Sequence, residues 1–184
     1  MNIIILYQSV TGFTKQYAVW IAEELGCRAV SQKEADKKEV ESADLVLFGG
    51  WIMGGKIVGL EDLKKWKVKK QVVFGVGSMP EELVDTLSMK VQNHLEEIPF
   101  FYMPGGLRFE KLNLFIRGVL KVMKIFMIKK EDKTPQEQFM AGALATSFDY
   151  TDRRYIEDLV NYVRRNDVCP CPERLYLSAK KISS

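Results

Sequence analysis

The sequence predicts an α/β fold, built on a doubly wound parallel sheet of five strands in the order 2-1-3-4-5. Apolar stretches suited to strands alternate along the first part of the chain with amphipathic or charged stretches suited to helices. The apolar stretches are continuous, which is typical of strands covered on both faces. Ligands of such sheets bind beyond the carboxyl ends of the strands.

The strands are predicted at residues 2–7, 27–31, 45–48, 71–74 and 98–103. The helices are expected at 14–25, within 32–44, and at 60–65, 81–95 and 152–165. In the first helix, Tyr17, Ile21 and Leu25 recur at helical spacing. Pro80 suits the first turn of the fourth helix. Strands and helices therefore alternate as the fold requires.

We expect a single domain over residues 1–165, with a helical insert at about 107–149 and a C-terminal tail at 166–184. The length of 184 residues suits one domain, and 47% hydrophobic with 28% charged residues is typical of a soluble protein.

The sequence favours a cytoplasmic location. Met1 leads directly into the first strand, so no signal peptide is expected, and no apolar run is long enough to cross a bilayer. Three cysteines, Cys27, Cys169 and Cys171, do not make a disulfide framework. No metal site is predicted: Cys169 and Cys171 are taken as part of the tail, and His94 as a structural residue.

Positive charge is concentrated in one segment. Residues 108–130 contain seven bases and one acid, so this segment carries +6 while the rest of the chain carries −3. Nucleic-acid binding predicts a broad basic face. A local basic segment instead favours a surface, a protein partner or an anionic small molecule.

The helix predicted over 113–130 has two unlike sides. Arg117, Lys121 and Lys124 form a narrow basic stripe, and the opposite side is broad and apolar, with Val119, Val122, Met123, Phe126 and Met127. Such a helix can lie at a membrane interface. It can also bury its apolar side on its own domain or on the second subunit of a homodimer, or dock an acidic redox partner.

A polar turn between the first strand and the first helix is a candidate phosphate site. Its sequence is Ser9-Val10-Thr11-Gly12-Phe13-Thr14, with three hydroxyls, one glycine and no acid. Backbone N–H groups at a helix start carry partial positive charge, so the turn can hold a phosphate. The alternative is a capped helix without a ligand. No Walker motif or G-x-G-x-x-G motif is present.

Two further glycine-rich stretches follow predicted strands, at residues 49–55 and 75–78. Because the carboxyl ends of parallel strands meet at one edge of the sheet, we expect both stretches to lie near the 9–14 turn.

The pattern Ser9-x-Thr11-Gly12-x-Thr14 resembles the phosphate loop of flavodoxins, which binds FMN. The resemblance implies phosphate contacts from Ser9, Val10, Thr11, Gly12, Phe13 and Thr14. It implies ring contacts from Gly50, Trp51, Ile52, Met53, Gly75, Val76, Gly77 and Ser78. Glycines allow the flat ring to approach the backbone closely, and Trp51 can stack on it or be a tryptophan of the core or its rim. Phe13 replaces the asparagine that flavodoxins often carry. The resemblance therefore predicts an FMN-binding protein in electron transfer or a flavin-dependent oxidoreductase.

The later part of the chain is similar to the menaquinone-dependent protoporphyrinogen oxidases of the flavodoxin-like class. The similarity rests on Gly105-Gly106-Leu107-Arg108-Phe109, the basic helix after it, and Phe148-Asp149-Tyr150-Thr151-Asp152. It implies a small-molecule substrate, a quinone acceptor at a membrane surface, and contact of Arg108 with an anionic substrate group. An electron carrier with a protein redox partner and a flavin-free interaction module with a basic helix are the alternatives.

Overall fold

A computed structural model describes residues 1–112 and 114–166, and its centre is a parallel sheet. The strands in chain order are β1 Ile3–Gln8, β2 Arg28–Ser31, β3 Leu45–Met53, β4 Lys56–Ile57, β5 Gln71–Gly77, β6 Phe100–Pro104, β7 Gly106–Leu107 and β8 Phe148–Asp149. The five parallel strands lie in the order β2-β1-β3-β5-β6, and the short β4 pairs antiparallel with β3. The predicted topology is confirmed, because β4 adds a hairpin without changing the order.

Helices cover both faces of the sheet. They are α1 Phe13–Leu25, α2 Lys37–Ser42, α3 Leu60–Leu63, α4 Thr86–Gln92, α5 Leu114–Lys129, α6 Pro135–Ala143 and α7 Glu157–Asn166. Short 3-10 turns lie at Glu81–Leu83, Phe109–Lys111 and Arg153–Ile156. One core cluster joins α1 and α7 to the sheet, and the other joins α2 and α3 to its opposite face.

Both glycine-rich stretches predicted to be loops are largely strand. β3 continues through Gly49 and Gly50 to Met53, and β5 continues through Gly77. The strands continue because these residues pair with the neighbouring strands. Packing explains why two of them are glycine: a Cβ on Gly49 would overlap the ring of Phe74, and a Cβ on Gly77 would overlap the ring of Tyr102. These glycines therefore make room for neighbouring aromatic rings within the sheet.

The helix predicted at 81–95 is shorter, because two side chains interrupt it. Asp85 caps α4 at its start, where its carboxylate accepts hydrogen bonds from the backbone N–H and the hydroxyl of Ser88, at 3.0 and 2.6 Å. Asn93 ends the helix and is buried. His94, predicted to lie on the helix, follows it in a left-handed conformation with φ of 55°.

The insert is a separate helical pair on a two-stranded base. α5 packs against α6, and β7 pairs antiparallel with β8 where the insert leaves and rejoins the sheet. α6 begins with a capping box between Thr134 and Glu137. The predicted tail beyond residue 166, with Cys169 and Cys171, lies outside the described residues.

Two features are absent from the part of the chain that the structure describes. No group of His, Cys, Asp or Glu side chains in 1–112 and 114–166 could hold a metal ion. No helix within the same ranges is long and apolar enough to cross a membrane.

Candidate functional site

The 9–14 turn forms a tight backbone cradle between β1 and α1. Gly12 stands at the start of α1 with φ of 99°, a left-handed conformation that favours glycine. Its backbone N–H donates to Oγ of Ser9 at 3.1 Å, and its carbonyl accepts from the N–H of Gln16 at 3.0 Å. The first turn of α1 contains no acidic residue. The start of α1 therefore carries no carboxylate that would oppose an anion.

The side chains of the turn divide between solvent and core. Val10 is exposed, Ser9 and Thr11 are partly exposed, and Phe13 and Thr14 are buried. Phe13 lies against the base of the insert, because a Cβ on Gly106 would lie 2.9 Å from its Cζ. Phe13 was predicted as a phosphate contact by resemblance, and its side chain here serves packing.

Arg108 joins the insert to the 9–14 turn. Its Nη1 donates to the carbonyl oxygen of Thr11 at 3.0 Å, and its guanidinium carbon lies 4.4 Å from the ring centroid of Phe13. Nη2 lies 3.7 Å from the carboxylate of Asp149 on β8. An anion held by the turn would therefore have a guanidinium beside it. The resemblance implied contact of Arg108 with an anionic substrate group and gave no sign of the hydrogen bond to Thr11, which spans 97 residues of chain.

Tyr17, which was not predicted as a site residue, connects α1 to the end of β6 and to the segment before α7. Its buried hydroxyl donates to the carbonyl of Pro104 at 2.5 Å and accepts from the N–H of Asp152 at 3.3 Å. Burial raises the pKa of Tyr17 above its ordinary value. The sequence showed only an apolar helix position, and no local signal reveals the two distant partners.

The sheet register brings the predicted ring-binding stretches to the same edge as the turn. Gln8 at the end of β1 is in register with Gly50, which is in register with Gly75. Trp51 is likewise in register with Val76. The convergence of the three stretches follows from this register.

Only part of these stretches reaches the surface. Gly50, Gly75, Val76 and Gly77 are buried, while Trp51, Ile52 and Ser78 are partly exposed and Met53 is exposed. Ring contacts from side chains would therefore come from Trp51, Ile52, Met53 and Ser78.

The indole N–H of Trp51 is a buried hydrogen-bond donor without an acceptor among the described residues. A buried donor without a partner costs about 1–3 kcal/mol. A ligand with an acceptor at this edge would remove that cost.

Comparison with known proteins begins with a protein-family model described as "Flavodoxin domain", which matches residues 4–138. No curated protein matches the chain. The chain is also similar to several solved structures.

A flavodoxin from the domain Archaea has 19% identity and a TM-score of 0.42, covering 56% of this chain and 78% of that one. Flavodoxin 2 from Bacillus cereus has 22% identity and a TM-score of 0.38, covering 56% and 86%. A flavodoxin, WrbA-like protein from Agrobacterium tumefaciens has 14% identity and a TM-score of 0.41, covering 89% and 98%.

Proposed function

Because the chain belongs to the flavodoxin domain family, we propose that it is a redox protein that binds FMN at the 9–14 turn. The observation that carries the proposal is the left-handed Gly12 at the start of α1. This conformation turns the backbone so that its N–H groups can surround a phosphate, which the helix dipole also favours.

The residues at the turn fit a phosphate group in size and charge. No acid stands in the first turn of α1, and the partly exposed hydroxyls of Ser9 and Thr11 can donate to phosphate oxygens. Arg108, hydrogen-bonded to the carbonyl of Thr11, brings a guanidinium beside the turn, and the carboxylate of Asp149 at 3.7 Å offsets part of its charge. A guanidinium near a phosphate strengthens binding by direct Coulomb attraction.

The edge beside the turn fits a flat ring with acceptor atoms. The buried Nε1–H of Trp51 needs an acceptor, and the flavin ring carries carbonyl oxygens and ring nitrogens. We assign Trp51, Ile52, Met53 and Ser78 to the border of the ring. FMN supplies reversible electron transfer when bound, and these residues orient the ring and exclude water from it.

We further propose an oxidoreductase acting on an anionic small molecule, with a protoporphyrinogen oxidase using a quinone as its narrower form. The insert supports this choice, because β7, β8 and Arg108 attach it directly beside the 9–14 turn. An insert at this place can form one wall of a substrate site. An electron carrier has little use for such a wall.

The first experiment measures FMN affinity by fluorescence titration of the purified chain. Gly12→Ala is expected to weaken binding by about tenfold or more, because its Cβ would lie 3.0 Å from Nη1 of Arg108 and its φ of 99° is strained for alanine. Gly26→Ala is the matched control: Gly26 is also left-handed, at the other end of α1, with open space around it.

Gly26→Ala is expected to keep the wild-type affinity. Absence of FMN binding by the wild-type chain would refute the proposed function. Equal losses in both variants would show that strain in α1, and not the turn, governs retention.

A second experiment separates an enzyme from a carrier. The FMN-loaded protein is assayed for oxidation of protoporphyrinogen with a quinone acceptor, and for reduction by a flavodoxin reductase. Turnover in the first assay supports the oxidase. Reduction in the second assay without turnover in the first supports a carrier.

A further inference from the structure

The β3–β4 hairpin carries most of the residues assigned to the border of the ring. Trp51, Ile52 and Met53 lie on its β3 side. Across the hairpin, Ile52 pairs with Ile57 and Met53 pairs with Lys56. Two glycines with positive φ form the turn between Met53 and Lys56, as is typical of a tight hairpin. The position of the ring border therefore depends on what holds this hairpin.

The sheet supports only the first part of the hairpin. The pairing of β3 with β5 ends where Trp51 is in register with Val76, so Ile52 and Met53 extend beyond it. β4 has two residues and pairs with β3 alone among the described strands. A two-stranded hairpin by itself is only marginally stable in water. The end of the hairpin therefore depends on contacts from outside the sheet.

Asn93, at the C-terminal end of α4, supplies two of these contacts. Its Oδ1 accepts from the N–H of Ile57, and its Nδ2 donates to the carbonyl of Gly55, both at 2.8 Å. Nδ2 also donates to the carbonyl of Met89 within α4 at 2.8 Å. Because Asn93 is only 3% exposed, water does not compete for these hydrogen bonds. One buried amide thus joins the hairpin to the helix.

Gln92 adds two contacts from the same end of α4. Its carbonyl accepts from Nζ of Lys56. Its side chain packs so closely against Gly55 that a Cβ at residue 55 would overlap Oε1 of Gln92. The hairpin is therefore in contact with α4 at three consecutive residues, 55–57.

We propose that Asn93 is a positioning residue of the cofactor site, which fixes the β3–β4 hairpin before FMN binds and so keeps the ring border in place. The inference rests on the proposed function, because FMN is the ligand of that border. Ordering a free hairpin at the moment of binding would cost conformational entropy. A hairpin that α4 already holds avoids this cost, and the affinity for FMN is higher as a result.

A role of Asn93 in fold stability alone makes a different prediction. In that case, any core variant with the same loss of folding stability would weaken FMN binding equally. Leu159→Ala is the matched control, because Leu159 on α7 is fully buried and lies across the sheet from the core cluster that contains Ile57. The free energy of unfolding of both variants is measured by urea unfolding, so that they are compared at known stability.

The first measurement follows Trp51 in the flavin-free protein. The chain has three tryptophans, so Trp20→Phe with Trp66→Phe leaves Trp51 as the single site for fluorotryptophan. In this background, Asn93→Ala is expected to shift or broaden the fluorine NMR resonance of Trp51, because the hairpin loses its contacts with α4. Leu159→Ala is expected to leave the resonance unchanged.

The second measurement is FMN affinity by fluorescence titration. Asn93→Ala is expected to weaken binding by about tenfold or more, while Leu159→Ala stays within about twofold. A milder pair keeps the test valid if Asn93→Ala does not fold. Lys56→Ala removes the bond to Gln92 and should weaken binding by about threefold. Lys65→Ala loses the same charge and one hydrogen bond, to Asp62 at 2.7 Å, and should keep the wild-type affinity.

The outcomes separate this inference from the proposed function. Wild-type FMN binding, together with equal losses in each test variant and its control, would overturn the inference and leave the proposed function standing. An unchanged Trp51 resonance in Asn93→Ala would also overturn it. A wild-type chain that does not bind FMN would refute the proposed function, and the Trp51 resonance would then decide by itself whether Asn93 fixes the hairpin.

Discussion

Large apolar side chains are mostly buried in the sheet domain and mostly exposed on α5 of the insert. Phe74 in β5 is fully buried between layers, whereas Phe126 in α5 is 72% exposed. The strands are covered on both faces by helices, but α5 has α6 on one side and no cover on the other among the described residues. Apolar residues at helical spacing therefore predict a helix. Whether the apolar side of that helix is buried in a core depends on which elements pack against the helix.

The two regions meet at a narrow joint. β7 and β8 pair at the base of the insert, and the N–H of Tyr150 donates to the carbonyl of Gly105 at 2.7 Å. A small aromatic cluster stabilises this base, where the rings of Phe148 and Tyr150 lie 5.1 Å apart and Phe139 completes the group. Arg108 ties the joint to the 9–14 turn. The insert is thus attached at the end of the sheet that carries the 9–14 turn.

The largest expected contrast is between two phenylalanines. Phe74→Ala should destabilise the fold by about 3–5 kcal/mol, because the ring covers Gly49 and its loss leaves a cavity in the sheet core. Phe126→Ala should change the free energy of unfolding by less than about 0.5 kcal/mol. Both are measured by denaturant unfolding followed by circular dichroism. A large effect of Phe126→Ala would show that α5 is covered in solution.

The second contrast compares one hydrogen-bonding side chain in each region, Asn93 in the sheet domain and Thr134 in the insert. Buried Asn93 donates to the carbonyls of Gly55 and Met89, and its Oδ1 accepts from the N–H of Ile57, all at 2.8 Å. Asn93→Ala leaves these groups unsatisfied and should cost about 2–3 kcal/mol. Thr134→Ala in the capping box of α6 should cost about 1 kcal/mol.

Hydrogen exchange separates the two effects by location. Asn93→Ala should expose the amides of β4 and of the end of β3, while Thr134→Ala should raise exchange within the insert alone. Equal exchange across both regions after Thr134→Ala would mean that the insert and the sheet unfold together.

The order of the parallel strands could be predicted because it depends on local patterns. Continuous apolar stretches mark strands buried on both faces, and Tyr17, Ile21 and Leu25 mark the buried side of α1. The right-handed rule then leaves few arrangements. The 9–14 turn could also be predicted from the sequence, because its residues are consecutive and the positive φ of residue 12 favours the glycine found there.

The extent of β3 and β5 could not be predicted, because its cause lies in other strands. Gly49 and Gly77 resemble loop residues in sequence, and they are glycine because the rings of Phe74 and Tyr102 occupy the space above them. Asn93 looked like a helix residue, although its side chain anchors β4. Such partners are separated by many residues, so no local pattern reveals them.

A smaller effect should appear at alkaline pH and belongs to the sheet domain. Burial raises the pKa of Tyr17 and of Tyr102, whose hydroxyl donates to the carbonyl of Met79 at 2.6 Å. The unfolded chain releases these protons near pH 10, while the folded chain retains them. The stabilisation is therefore complete below about pH 10 and is lost as pH rises toward the folded pKa values.

Between about pH 10 and 11 each tyrosine should lower the free energy of unfolding by about 1 kcal/mol. Urea unfolding at several pH values measures this slope, and Tyr17→Phe or Tyr102→Phe should each make it shallower. A slope that is the same in the wild type and in both variants would contradict the assignment.

The smallest expected effect lies at the joint between the regions. Arg108 stacks on Phe13, and such a cation–π contact contributes about 0.5–1 kcal/mol when partly exposed. A double-mutant cycle of Arg108→Gln and Phe13→Leu, measured by urea unfolding, should give a coupling energy of this size. Arg108→Lys is the matched control, because it keeps the charge and loses the planar fork that bonds the Thr11 carbonyl.

If the joint transmits order from the insert to the 9–14 turn, Arg108→Gln should also raise hydrogen exchange at the amides of β7 and β8, and Arg108→Lys should raise it partly. FMN affinity should fall most in Arg108→Gln, which loses both the charge beside the turn and the bond to it. A coupling energy near zero together with unchanged exchange would show that the insert and the turn are adjacent and energetically independent. The 9–14 turn and the insert would then be stabilised independently, although Arg108 connects them.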